Sequence, residues 1–203
     1  MTQDFSLLFA AAEQEVRAFL AAPETLSPEQ SRDIIARYTA AIAGNFVPWM
    51  AAASVSVRSL QARFACEENI TQEMHGDHPG LLETFARGAN AEPTAQDHTA
   101  VADAVQNIRT LVHEMNGLKL LTLMACLERT SNGFIPFLAD LAHERNSREF
   151  TYTNVHGLAD AKHAEQFLWA LSFEQNEYED APRIVEETVR RCVTFLRTIL
   201  TVT

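Results

Sequence analysis

Apolar residues recur every three or four positions through Phe5, Leu8, Phe9, Ala12, Val16, Phe19 and Leu20, the stripe of an amphipathic helix. Pro23 follows its end. Ser27-Pro28-Glu29-Gln30 then supplies a capping hydroxyl, a proline at the first helical position and a Gln placed to close a capping box. A second helix therefore starts there and runs to about Gly44, with Pro48 causing a kink or a break. A third is expected from roughly Ala51 to Met74, ending at His75-Gly76-Asp77-His78-Pro79, and a short one carries Leu81, Leu82 and Phe85.

Gly88, Asn90 and Pro93 make Arg87 to Gln96 the one obvious loop, after which Asp97 is placed to cap a long helix reaching about Ser131. Between Leu118 and Leu127 that helix is apolar nearly all round, as expected of an element crossing the middle of a bundle. Phe134 to His143, Glu149 to Phe173 and Ile184 to Val202 complete an all-α bundle of seven or eight helices. Few Gly and Pro, abundant Ala, Leu, Glu and Gln, and no alternating β-branched run point the same way. A chain of 203 residues fits one domain spanning 1–203.

Charge narrows the partners. A net charge of −11 without a Lys/Arg cluster excludes surfaces that must neutralise nucleic-acid phosphates or anionic lipid. Met1 to Leu20 lacks the basic start of a secretory peptide, and no apolar run reaches the roughly 18 residues of a membrane span. Cys66, Cys126 and Cys192 are widely spaced, outside any C-x-x-C pattern, and read as reduced core thiols of a cytoplasmic protein. A small molecule is the remaining class of partner, and pairing into a homodimer is compatible with all of this.

The chemistry sits late in the chain. His156, Asp160 and His163 are separated by four and three residues, so on one helix two imidazoles and a carboxylate share a narrow stripe. Mixed nitrogen and oxygen donors suit iron, manganese or zinc, whereas calcium and magnesium prefer oxygen alone. Leu158, Ala159, Ala164, Phe167, Leu168 and Leu171 place the same helix against a core, where polar groups need partners. Taken singly, each His reads as an ordinary core or surface residue bonded to backbone or water; the triple at this spacing is what brings a metal into consideration.

Glu128 closes the apolar segment from Leu118 to Leu127, where an unpaired carboxylate is costly. It either ends the helix in solvent, beside Arg129 or Arg145, or meets a cation. Cys66 to His78 is rich in acids. Glu68 continues the four-residue steps from Leu60 and Phe64, Glu67 lies three residues after Phe64, and His78 sits just before Pro79. Glu73, His75 and Asp77 read as a solvated helix end.

Tyr152-Thr153-Asn154-Val155-His156 through His163-Ala164-Glu165 resembles the His-x3-Asp-x2-His helix of the haem-oxygenase-like di-iron oxidases, in particular their CADD-like branch. Leu127-Glu128-Arg129 with Phe134-Ile135-Pro136 resembles that family's central-helix Glu segment. Glu67-Glu68 with His78-Pro79-Gly80-Leu81-Leu82 resembles its acidic pair and His-Pro segment. The likeness covers roughly Ser27 to Leu171. It implies a haem-oxygenase-like (TenA/PqqC-like) fold and six ligands, Glu68, His78, Glu128, His156, Asp160 and His163, for ferrous iron, two per chain, with Glu67 the alternative to Glu68.

The resemblance further implies a non-haem oxidase or oxygenase that uses dioxygen on an amine, an amino acid or a fatty acid. Leu127 stands where CADD-like relatives carry Tyr, which counts against 4-aminobenzoate synthesis. The first His is His75, so the early haem ligand of true haem oxygenases is missing, and the His-Asp-His set differs from the Cys chemistry of TenA-type thiaminases. Rival expectations are a cofactor-free PqqC-like oxidase and a metal-free binding or regulatory bundle. Arg37, Tyr38, Trp49, Arg129 and Tyr152 are candidates to face the cavity, without assigned roles.

Overall fold

The computed structural model describes residues 3–202 apart from the side chain of Leu158, so the core position expected of Leu158 lies outside the described residues. Nine α-helices are described: α1 Ser6–Phe19, α2 Pro28–Ile42, α3 Phe46–Ser56, α4 Leu60–His75, α5 His78–Gly88, α6 Ala95–His113, α7 Gly117–Glu144, α8 Thr151–Glu174 and α9 Ala181–Leu200. Two 3-10 turns, Pro23–Thr25 and Gln175–Glu177, join them, and the described residues contain no strand.

The chain is all-α, as the periodicity predicts, but it divides differently. α2 begins with the expected capping box, Ser27 bonding the Gln30 amide while the Gln30 side chain bonds the Ser27 amide. It stops at Ile42, two residues before Gly44, whose φ of 75° suits only glycine comfortably. Pro48 neither kinks nor breaks a helix. It falls in the first turn of α3, where a missing N–H costs nothing.

The expected third helix is two helices. Glu174, buried on α8, accepts from the backbone N–H of Arg58 at 2.9 Å and of Ser59 at 2.8 Å, satisfying the free donors where α4 begins. A partner more than a hundred residues away thus sets this boundary. Asp97 is the third residue of α6 rather than its cap; Thr94 caps, and Asp97 returns a bond to the Thr94 amide while pairing with Arg32. The long helix expected from Asp97 is likewise two, because the chain turns at Met115 (φ 47°) before Gly117. A β-carbon at Gly117 would lie 2.5 Å from the Ser56 carbonyl oxygen, so glycine is what lets α7 pass α3 there.

α7 then runs unbroken through Pro136 to Glu144, absorbing the segment from Phe134 that had read as a separate helix. Its residues Leu118 to Leu127 are buried apart from Lys119, and α8, α1, α9 and α3 pack around it. Each fully buried Leu or Phe there contributes about 1.5–3 kcal/mol. α8 packs in turn on α4 and α5, which brings polar side chains of α4, α5, α7 and α8 together.

Candidate metal centre

Four helices deliver one buried cluster. α4 supplies Glu73, α5 His78, α7 Glu128, and α8 His156, Asp160 and His163, all between 1% and 8% exposed. The α8 residues share a face because of their four- and three-residue spacing. His78 returns to α4 because Gly76 ends that helix and Asp77 takes a left-handed conformation, φ 48°, reversing the chain.

Nδ1 of His78 lies 2.8 Å from Glu73 Oε1. His156 Nδ1 lies 2.8 Å from Asp160 Oδ1, and the His156 ring meets the His78 ring edge-on at 4.7 Å. His163 Nδ1 stands 3.6 Å from Glu128 Oε1, too far for a hydrogen bond. Donor atoms of Glu73, His78 and His156 lie within 4.8 Å of one another, and so do those of Glu73, Glu128 and His163. Glu73 belongs to both sets.

Three carboxylates in one buried volume raise its electrostatic cost. Burial pushes the Glu128 carboxyl well above its usual range, and Asp160 and Glu73 push it further. The hydrogen bond to Glu73 raises His78, whereas burial lowers His163. Two ring nitrogens, His156 Nε2 and His163 Nδ1, are buried with no hydrogen-bond partner. Buried nitrogens left so are rare. A divalent cation answers both problems, supplying the positive charge and accepting the lone pairs, so the donors present fit a metal.

Five of the six expected ligands come together, and Glu68 does not. Its side chain is 52% exposed, near Lys162, and Glu67 is exposed as well. The inward stripe of α4 is Ala62, Ala65, Cys66, Asn69 and Glu73, while Leu60 and Phe64, which had seemed to define the buried face, are 63% and 66% exposed. Glu73 is therefore the α4 carboxylate of the cluster and no solvated end; His75 and Asp77 are exposed as expected. The usable signal was the line of small residues leading to Glu73. Glu128 meets neither solvent nor an Arg, since Arg129 pairs with Glu13 and Arg145 bonds the carbonyls of Pro28, Ala89 and Asn90.

A mainly apolar cavity opens onto the cluster, walled by Ile42, Phe46, Val47, Leu82, Leu127 and Phe134. Tyr38 and Tyr152 supply its polar edge, their hydroxyls 2.6 Å apart, and Tyr152 packs 4.3 Å from the His156 ring. Burial raises the pKa of both phenols, so they stay neutral. Of the other pocket candidates, Arg37 bonds the Thr201 carbonyl, Trp49 packs on Phe195, and Arg129 turns to Glu13. Among the described residues no Lys or Arg lines the cavity.

A family model described as an iron-containing redox enzyme matches residues 33–195, a span that includes every residue of the cluster. No curated protein and no solved structure matches the chain.

Proposed function

This chain belongs to the iron-containing redox enzyme family, with its haem-oxygenase-like helical fold, and from that membership we propose that it is a non-haem di-iron oxidase or oxygenase acting on a small molecule. Glu73, His78, Glu128, His156, Asp160 and His163 hold the metal in this reading. One observation carries it. Glu73 is common to two triads of buried donors, and each triad contains an imidazole whose nitrogen is otherwise unpartnered. A shared carboxylate is what two neighbouring cations require.

Ferrous iron held there supplies the one-electron and dioxygen chemistry that side chains lack. The protein provides the rest. Asp160 fixes the His156 ring through Nδ1, leaving Nε2 free to ligate. The apolar wall keeps water from the cluster, and the paired phenols of Tyr38 and Tyr152 offer a neutral hydrogen-bonding edge to a substrate's polar group. Apart from the residues that hold the metal, the lining is apolar with two neutral phenols and, among the described residues, no Lys or Arg, which suits a substrate with an apolar body and one polar group, drawn from amines, amino acids and fatty acids. The three buried free thiols accord with a reducing, cytoplasmic setting.

Oxygen consumption by anaerobically iron-loaded protein, measured across amines, amino acids and fatty acids, tests the proposal. Substrate-dependent uptake that a ferrous chelator abolishes is expected. Uptake unaffected by the chelator would point instead to cofactor-free oxidation.

A further inference from the structure

His163 Nε2 lies 3.0 Å from Gln72 Oε1, and the amide nitrogen of Gln72 donates to Glu68 Oε1 at 3.2 Å. Lys162 Nζ stands 3.8 Å from the same Glu68 oxygen. The order of these groups determines where each proton sits. An ionised carboxylate only accepts, so the end of Gln72 facing Glu68 must be its NH2 group. The Gln72 carbonyl is thereby turned inward, and a carbonyl also only accepts. His163 must then carry its ring proton on Nε2, which leaves the lone pair on Nδ1. Nδ1 is the buried nitrogen without a partner, directed to the side of Glu128.

The α4 register builds this line. Glu68 and Gln72 are four residues apart and stack along the helix, and Gln72 immediately precedes Glu73. Residue 68 is exposed, residue 72 half-buried and residue 73 buried, so the bonds lead from the surface to the cluster. We propose that Glu68, acting through Gln72, selects the Nε2–H tautomer of His163 and so presents Nδ1 as the ligand atom. Both are positioning residues, and only the ligand clause rests on the iron-site reading. Glu68 thus has a place at the site without touching it.

Two-bond 1H–15N correlation spectra of metal-free protein at pH 8 read the tautomer directly. The wild type is expected to show His163 protonated on Nε2. Gln72→Leu removes the acceptor, so Nδ1–H, which can turn to Glu128, becomes populated. Titration with Mn(II) alone should then show affinity at the His163 side lowered about 10- to 100-fold, the usual cost of losing such a support. Gln72→Glu keeps an acceptor and should keep the Nε2–H tautomer, which answers the case in which Gln72→Leu fails to fold. Wild-type His163 protonated on Nδ1, or an unchanged tautomer in folded Gln72→Leu, overturns the proposal. A wild type that shows Nε2–H but binds no metal would defeat the iron-site reading while leaving the tautomer selection intact.

Discussion

Glu73 and His78 face each other at 2.8 Å across a two-residue turn, and that contact joins the two halves of the cluster. The pairing draws the N-terminus of α5 against the C-terminal turn of α4. Glu73 also approaches Glu128 and His163, so one side chain anchors the turn and links both triads.

The turn leaves no room for a larger residue at position 76. A β-carbon on Gly76 would lie 2.5 Å from His78 Nε2 and Cδ2, although its backbone (φ −78°) suits any residue. Gly76→Ala should therefore displace the His78 ring, with the Gln72 carbonyl oxygen, 3.1 Å from the added carbon, giving only slightly. Iron affinity should fall at least about tenfold, by analogy with losing a ligand's support, while the thermal midpoint of the metal-free protein stays within a few degrees. Isothermal titration with ferrous iron and a melting curve check both halves.

The raised groups set a pH dependence for the metal-free protein. His78 is raised from 6.5 by its bond to Glu73, and Glu128 is raised from 4.5 by burial and its acidic neighbours. Each group's stabilisation is complete below its unfolded value and is lost as pH rises through the folded one. His163, lowered from 6.5, acts oppositely, losing stability as pH falls below 6.5. Above 6.5 the first two shifts act in the same direction, so stability should decline as pH rises beyond 6.5, and Glu128→Gln should make the decline shallower. Protons compete with the metal for the same donors, so iron affinity should rise with pH. Melting curves with and without ferrous iron measure both trends.

The Tyr38–Tyr152 bond gives a double-mutant test. Replacing either residue by Phe strands a buried hydroxyl, costing about 1–3 kcal/mol, whereas replacing both should be nearly neutral. Urea unfolding of the four proteins shows the coupling. Equal, additive losses would mean that the two hydroxyls do not depend on each other.

The α8 donors were legible because their geometry is local, three of them within eight residues of one helix. Glu128 was legible because a carboxylate closing an apolar run needs a reason. The α4 carboxylate was not, because that helix buries small residues and exposes Leu60 and Phe64, the reverse of the usual cue. Gly44 and Ser59 mark true breaks, but the second is held by Glu174 from α8, which no local pattern reveals. Gln72 carried no motif at all. Its part emerges only when α4 and α8 lie side by side.

Gly117 offers a check on the fold independent of iron. The close passage of α7 against Ser56 and Val57 involves backbone atoms that cannot swing aside. Gly117→Ala should cost about 1–3 kcal/mol, a drop of several degrees in melting temperature, without moving the cluster. A calorimetric scan shows it, and unchanged stability would mean that α3 and α7 separate more readily than their packing implies.

Iron content after anaerobic loading and removal of excess metal, read together with Mössbauer spectra, bears most directly on the di-iron assignment. The wild type should hold two irons per chain, Glu67→Ala, which alters only an exposed carboxylate, should hold two, and Glu73→Ala should lose at least one. A wild type without stoichiometric iron, or Glu73→Ala retaining both irons with unchanged spectra, would contradict it.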